Sequence, residues 1–273
     1  MIDFTTPDAR RAEVLTAGAL ILIILGLSLW YMATHQAPEP FMADETEGAE
    51  DASLPPEVYE EHGSYYDIKV THPAETLLKG MLAGPEADQK AVAAMGDFVD
   101  DTVDEFKSQG NFDNLTPEDI QIMGLSDARK ESITIDYEEH VGTATVSYVY
   151  TIYADTLGAH PNAFYRTFTF DLATGAELAI GDLFLPKSDY LKRLSAIAEF
   201  ELSKSLGDFM DIEYIRQGVT AEALNFQSYA IEDGNLILIF PPYQVAPYAA
   251  GTQEVTIPLS QLAEVLKPEY QAQ

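Results

Sequence analysis

The feature that most constrains this chain is an unbroken apolar segment near its N-terminus. Residues 14–33 read VLTAGALILIILGLSLWYMA and contain no charged side chain. A helix of about 20 residues, rising about 1.5 Å per residue, crosses the hydrocarbon core of a bilayer. A helix also satisfies its own backbone polar groups where no water is present. The segment therefore predicts one transmembrane helix.

The flanks of this segment predict its orientation. Arg10 and Arg11 precede it, no basic residue follows until Lys69, and a Trp-Tyr pair lies at its far end. Basic residues stay on the cytoplasmic side, and amphipathic aromatic rings favour the membrane interface. We therefore expect residues 1–13 to be a cytoplasmic stub. The rest of the chain is expected outside the cell membrane, at the cell surface or in a periplasm.

Three other interpretations of residues 14–33 fit less well. A cleaved signal peptide has a shorter apolar region and a small-residue cleavage site, which Met32–Thr34 resembles poorly. A core helix is apolar along one stripe, whereas this segment is apolar on every face. The residues around the paired arginines, DARRAEVL, do not match a twin-arginine export signal. An uncleaved anchor is the favoured interpretation.

The amino-acid composition limits the kinds of partner and of catalytic chemistry that are expected of this chain. Lys plus Arg number 15 and Asp plus Glu number 45, for a formal net charge of -30. Nucleic acid and anionic lipid are bound through Lys and Arg, so nucleic-acid binding is not expected. Cationic partners would be attracted, although high acidity also serves solubility alone. The chain has no cysteine, which excludes disulfides, thiolate catalysis and cysteine zinc sites.

The remaining sequence predicts a tether followed by a two-part folded region. Residues 34–63 are acidic and proline-rich, with no basic residue, so they cannot bury enough apolar surface to fold alone. Residues 64–157 are expected to form an N-terminal α+β half. Residues 158–273 are expected to form a C-terminal half.

Apolar periodicity predicts the elements of these two halves. Helices are expected at residues 86–108 and 186–206, with shorter ones starting near Thr116, between 208 and 217, and from Ser260 to Leu266. Strands are expected near residues 66–70, 133–137, 144–152 and 164–170, through Ile180, in a hairpin over 226–240, and at 253–257. Short connections favour antiparallel pairing. We predict an α+β fold with antiparallel sheets and two main packed helices, preceded by the transmembrane helix.

Catalytic and metal-binding patterns are weak. The five histidines are scattered, so metal-ligand spacing is absent, and neither a phosphate loop nor a nucleophile elbow occurs. Asp155 and His160 flank one loop and could form an acid–base pair, but a turn hydrogen bond is the favoured role. The acidic face from Asp97 to Glu105 is expected to be solvated. No catalytic residue, metal or cofactor is predicted.

Three ordered motifs resemble a known family. They are GAHPN (158–162), TFDLATGAELAIGDLF (169–184) and FPPYQVAPYAAGTQEVTIPLSQL (240–262). This set is similar to the extracytoplasmic domain of RsiV-like anti-sigma factors and PdaC-like peptidoglycan deacetylases, a domain family of unknown function. In RsiV-like proteins the resemblance implies a sensor that binds lysozyme. The stub is too short for a sigma-binding domain, and no separate deacetylase domain is expected.

Within the last motif, the segment around Tyr243 and Tyr248 is the main candidate for ligand binding. Prolines remove backbone donors and stiffen the chain there. The two rings could present rigid aromatic surface to a sugar or a protein partner, and His160 of the first motif is the third candidate. The favoured interpretation of the two tyrosine rings, however, is that they pack beneath the turn as core.

These observations favour a membrane-anchored, non-catalytic binding or sensor module of the cell envelope. Its expected ligand is a cationic protein such as lysozyme, or peptidoglycan. Two alternatives stay open at this point. One is an accessory subunit of an envelope complex, and the other is a cell-wall hydrolase that uses carboxylates near Asp155 or Asp97.

Overall fold

The computed structural model describes residues 57–73 and 80–271. The predicted stub, the transmembrane helix and most of the tether lie outside these residues. Across residues 57–73 and 80–271, no helix combines the length and apolar character that a bilayer crossing requires.

Five strands form the first sheet in the order β1-β2-β3-β4-β5. They are β1 (Glu57–His62), β2 (Tyr66–His72), β3 (Glu131–Val141), β4 (Thr145–Asp155) and β5 (Asn162–Asp171). Strands β3, β4 and β5 form an antiparallel meander, and β1 pairs antiparallel with β2. The residues of β1 fall within the predicted tether, so the folded region begins earlier than expected.

The pair β2–β3 is parallel, which corrects the prediction of purely antiparallel sheets. Parallel neighbours need a crossover of a dozen or more residues, usually helical. The crossover here contains α1 (Pro85–Gly110) and α2 (Pro117–Met123). The helix start predicted at Thr116 is confirmed: Thr116 is the N-cap of α2 and forms a capping box with Asp119.

The first hydrophobic core lies between α1 and one face of the five-stranded sheet. Helix α1 contributes Met95, Val99 and Phe106, which are all at least nine-tenths buried. The sheet contributes every second residue of β4, including Tyr148 and Tyr150, which are fully buried. Apolar residues that recur every 3.6 positions in the helix and every second position in the strand therefore pack in one core.

A second core is built on a three-stranded antiparallel sheet of β6 (Tyr229–Glu232), β7 (Asn235–Phe240) and β8 (Gln253–Pro258). Helices α3 (Tyr190–Ser205) and α4 (Ile212–Gly218) pack against it. Two long helices and two sheets confirm the α+β class.

The opposite face of β4 and β5 packs against β6 and β7. Val149 of β4 forms a small apolar cluster with Ala230 and Ile239. Buried hydroxyls bind the β6 backbone nearby: the Ile231 N–H donates to Ser147 Oγ over 3.3 Å, and the Tyr229 N–H donates to Thr167 Oγ1 over 3.3 Å. β4 and β5 are thus covered on both faces. Strands on either side of the predicted division at residue 158 share one sheet.

Three element predictions were wrong in detail. The strand expected through Ile180 is only an isolated bridge between Glu177 and Phe170, and a 3-10 turn begins at Ile180, where the Asp182 carboxylate accepts from the Ala179 N–H over 2.9 Å. Helix α3 begins at Tyr190 instead of Pro186, since Lys187 has a left-handed φ of 63°. The expected helix after Ser260 is only a 3-10 turn, Leu259–Leu262.

Candidate functional site

Three aromatic side chains that are distant in sequence meet at one surface. They are His160, Tyr243 and Tyr248, here called the aromatic cluster. His160 lies in the turn between β4 and β5, and the tyrosines lie between β7 and β8. The His160 ring stacks on Tyr248 with 3.8 Å between centroids. The Tyr243 centroid lies 6.0 Å from His160 and 5.6 Å from Tyr248. The structure thus brings together all three predicted site residues.

Hydrogen bonds fix the direction of every polar proton in the cluster. The Pro161 carbonyl, which can only accept, lies 2.9 Å from His160 Nδ1 and 2.9 Å from the Tyr248 hydroxyl. His160 Nδ1 and Tyr248 therefore both donate to it. In the neutral imidazole, Nε2 must then accept, and the Tyr243 hydroxyl donates to it over 2.9 Å. The hydroxyl protons of Tyr243 and Tyr248 are therefore both donated to other atoms of the protein.

Tyr243 is held in a backbone conformation that tyrosine rarely adopts. Its φ is 72°, in the left-handed region, and its side chain is 51% exposed. The Tyr214 hydroxyl donates to the Tyr243 carbonyl over 3.0 Å. Non-glycine residues in this region cost free energy and persist only where neighbouring contacts enforce them. A large aromatic ring is thereby fixed at the surface.

The residues after Tyr243 make the contacts that hold its backbone in this conformation. Val245 and Ala246 are 1% and 2% exposed and belong to the second core. The Gln244 side chain donates from Nε2 to the carbonyls of Gly218 and Asn225, over 3.0 and 2.9 Å. These contacts fix the segment to the second core. The Tyr243 ring therefore lies at the surface, while Val245 and Ala246 are buried. The interpretation that the Tyr243 and Tyr248 rings pack beneath the turn as core is therefore wrong for Tyr243, which is half exposed, and Tyr248 is only partly buried.

A fourth aromatic residue, Tyr153, belongs to the same surface. It lies near the end of β4 and is 44% exposed. The pKa of Tyr248 is raised, first by burial and then by the neighbouring Tyr153 and Tyr243 hydroxyls. Sequence analysis missed Tyr153 as a site residue. The feature that could have indicated Tyr153 is a large aromatic residue at an outward position of a strand whose other positions are mostly buried.

No cation of the protein occupies the cluster, as far as the described residues go. The cation–π contacts in this part of the chain involve other rings: Lys107 over Tyr66, Arg166 over Phe168 and Lys204 over Phe200. The exposed part of the Tyr243 ring and the hydroxyl lone pairs of the cluster remain available to a ligand.

The acid–base pair considered for Asp155 and His160 does not form. Asp155 Oδ1 accepts from the Leu157 N–H over 2.9 Å, which is the turn hydrogen bond favoured from the sequence. His160 bonds Pro161 and Tyr243 instead. Residues 57–73 and 80–271 contain no group of three or more His, Asp or Glu side chains able to hold a metal. The carboxylates of Asp97 and Glu105 are exposed, as expected for a solvated face.

A cleft in the described part of the chain lies elsewhere. It measures about 760 Å³ and lies between the start of α1 and the turn at Gly175. Its walls are mostly alanine and glycine, and its charged rim includes Lys90, which pairs with Glu86 over 3.0 Å where both side chains are largely exposed. Small apolar walls offer a ligand little directional contact, so we place the candidate site at the aromatic cluster on its chemistry and not on volume.

A family model matches part of the C-terminal half. Residues 181–260 match the family model described as "Protein of unknown function (DUF3298)". Two crystal structures of DUF3298 family proteins share the fold. One, from Pseudomonas aeruginosa PAO1, has a TM-score of 0.51 at 15% identity and covers 81% of this chain and 97% of that chain. The other, from Bacteroides fragilis, has a TM-score of 0.54 at 14% identity and covers 80% and 95%.

Several named proteins match about half of the chain. The peptidoglycan-N-acetylmuramic acid deacetylase PdaC of Bacillus subtilis is 34% identical over 143 residues, which are 52% of this chain and 31% of that protein. The immunogenic protein MPT64 of Mycobacterium tuberculosis is 28% identical, over 45% of this chain and 52% of its own. The esterase Rv3036c of the same species is 29% identical, over 43% and 50%. The chain therefore spans about a third to a half of these relatives.

Proposed function

We propose that this chain, which carries a DUF3298 domain at residues 181–260, is a non-catalytic module of the cell envelope that binds cell-wall glycan through the aromatic cluster. The observation that carries the proposal is the enforced exposure of Tyr243 beside the stacked pair of His160 and Tyr248. Rigid aromatic faces with adjacent hydroxyls suit the apolar face and polar rim of a sugar ring.

The similarity to a peptidoglycan deacetylase supports a glycan as the ligand. The matched segment is 31% of that enzyme, so the shared part is a portion of a larger protein that acts on peptidoglycan. A glycan-binding role for the shared portion would hold such a protein against the cell wall. In this chain the same role would hold the folded region at the wall.

The location is part of the proposal. The apolar segment at residues 14–33, with arginines before it, would anchor the chain in the cell membrane with its folded region outside. Protease added to intact cells or spheroplasts should then digest the folded region. Protection from protease until the membrane is lysed would contradict this topology.

The second candidate ligand is a cationic protein such as lysozyme. The formal net charge of -30 favours it, because a strongly acidic surface accelerates encounter with basic partners. Attraction of this kind weakens at moderate salt, whereas stacking on aromatic rings does not depend on charge. Salt dependence therefore distinguishes the two candidates.

The test is co-sedimentation of the full chain, in mild detergent, with purified peptidoglycan at low and moderate salt. We expect binding that persists at moderate salt and falls at least about tenfold in Tyr243→Ala, because an interface aromatic anchor contributes about 2 kcal/mol. Tyr59→Ala is the matched control, since Tyr59 is 50% exposed on β1, outside the cluster.

The outcomes separate the candidates. Binding to lysozyme that is lost at moderate salt, without peptidoglycan binding, would replace glycan by a cationic protein. Equal losses in Tyr59→Ala and Tyr243→Ala would remove the aromatic cluster as the site. Turnover of muropeptides that disappears in Asp155→Asn would replace the binding role by a hydrolase. Binding of neither ligand would leave the accessory-subunit alternative.

A further inference from the structure

The hydrogen-bond directions within the aromatic cluster carry a further inference about its ligand. A tyrosine hydroxyl has one proton to donate and lone pairs that accept. Tyr243 donates its proton to His160 Nε2, and Tyr248 donates its proton to the Pro161 carbonyl. Neither hydroxyl has a proton left for a ligand. The polar atoms that the cluster offers are therefore acceptors.

The aromatic faces have the same preference. The face of an aromatic ring carries negative electrostatic potential, which attracts cations. Tyr243 is 51% exposed and Tyr153 is 44% exposed, so both rings present substantial surface. The three cation–π contacts in the described part of the chain use other rings. Lone pairs and ring faces together favour a ligand group that donates hydrogen bonds and carries positive charge.

We infer that the aromatic cluster selects de-N-acetylated amino sugars, whose exposed nitrogen is an ammonium group, over their N-acetylated forms. An ammonium group offers three donors and a positive charge. An N-acetyl group adds a carbonyl oxygen that needs a donor, which neither the Tyr243 nor the Tyr248 hydroxyl supplies, and its nitrogen is neutral with a single N–H. This inference rests on the proposed glycan-binding function and adds the chemical form of the glycan.

His160 has a specific positioning role in this selection. Its Nδ1–H donates to the Pro161 carbonyl, so Nε2 accepts the hydrogen bond from the Tyr243 hydroxyl. The Tyr243 proton is therefore not available to a ligand. His160→Phe keeps an aromatic ring against Tyr248 but cannot accept from Tyr243. The freed Tyr243 proton could then donate to an acetyl carbonyl. The substitution should therefore change which sugar is preferred and not only how tightly sugars bind.

The experiment is isothermal titration of the full chain in mild detergent with two matched tetrasaccharides, one of N-acetylglucosamine and one of glucosamine. It is run at moderate salt, in a buffer in which the amine is protonated. We expect a Kd about fivefold lower for the glucosamine oligomer, as one additional hydrogen bond from an ammonium group to the Tyr243 hydroxyl oxygen provides. His160→Phe should bring the two Kd values together, mainly through tighter binding of the N-acetylated oligomer.

Tyr243→Phe is the second variant, because it removes the accepting oxygen without changing the net charge. Non-specific attraction between a cationic oligomer and the acidic protein would be unchanged in it. Loss of the preference in Tyr243→Phe and its retention in Tyr59→Phe therefore supports the inference. A preference that is unchanged in both Tyr243→Phe and His160→Phe overturns it.

The failures of the two proposals are distinguishable. Equal binding of the two oligomers by the unaltered chain, or preference for the N-acetylated one, overturns the inference and leaves the glycan-binding function in place. Binding of neither oligomer overturns both.

Discussion

Replacing Gly218 by alanine tests how the Tyr243 segment is held. Gly218 is the last residue of α4. A Cβ added there would lie 1.9 Å from the Gln244 carbonyl oxygen and 2.9 Å from Val245 Cγ1. The carbonyl is part of a backbone that the Gln244 side chain also fixes, through its bonds to Gly218 and Asn225. It cannot rotate away as a flexible side chain would. The segment or the end of α4 must shift.

The magnitude follows from three contributions. Overpacking of this kind costs about 1–3 kcal/mol. A shift that breaks the two hydrogen bonds of Gln244 Nε2 adds about 1 kcal/mol for each bond. Alanine in a helix gains at most about 1 kcal/mol over glycine. We therefore expect Gly218→Ala to destabilise the folded region by about 3 kcal/mol, which lowers Tm by about 6–12 °C for a domain of this size.

The assay is thermal unfolding followed by near-ultraviolet circular dichroism, with Gly96→Ala as the matched control. Gly96 lies inside α1, and a Cβ there would meet nothing within 4 Å. That variant should gain about 0.5–1 kcal/mol through helix propensity alone. Gly218→Ala should also weaken glycan binding, because the displaced segment carries Tyr243. Equal Tm values for Gly218→Ala and Gly96→Ala would refute the close approach.

Two further predictions concern side-chain networks away from the cluster. The Nζ of Lys107 lies 2.6 Å from the Glu61 carboxylate. The hydrogen bond from Lys107 is the largest of the contributions that lower the pKa of Glu61 from 4.5 to about 2. A lowered folded-state pKa stabilises the protein above about pH 4.5 and ceases to do so as the pH falls through about 2. The stability difference between the unaltered chain and Glu61→Gln, measured by urea unfolding, should therefore shrink across that range. It should not change between pH 6 and 8. In the C-terminal segment, the Tyr270 hydroxyl donates to the buried Asp171 carboxylate over 2.8 Å. Tyr270→Phe should cost about 1–3 kcal/mol by the same measurement, because the carboxylate loses a donor, and no loss would show that this bond contributes little.

Much of the fold could be predicted from apolar periodicity, because that pattern reports which face of an element is buried. Helix α1 and the meander β3–β5 follow it closely. The parallel pairing of β2 with β3 could not be predicted this way. Periodicity specifies the faces of a strand and leaves its neighbours open. The burial of Ser147 and Thr167 was also missed, because hydroxyl residues on alternate positions suggest a solvent face.

The members of the candidate site could be predicted, but their contacts could not. Tyr243 and Tyr248 lie in one motif, and His160 lies in another more than 80 positions earlier. Nothing in the local sequence shows that their rings stack or which proton points where. Gln244 and Gly218 were missed for the same reason. Their contacts join a helix end to a distant loop, and each residue taken alone has no unusual neighbours.

The crossover between β2 and β3 also has a consequence for the order in which the chain folds. Tyr66 of β2 pairs with Glu131 of β3, 65 positions later (131 minus 66), whereas β3, β4 and β5 are joined by turns of a few residues. Closing a long loop costs more chain entropy than closing a short one, and distant pairings form slowly. The meander should therefore fold first, and the hairpin of β1 and β2, itself closed by a short turn, should dock late onto its edge. The hairpin next to the predicted membrane tether would then join the sheet after the meander has formed.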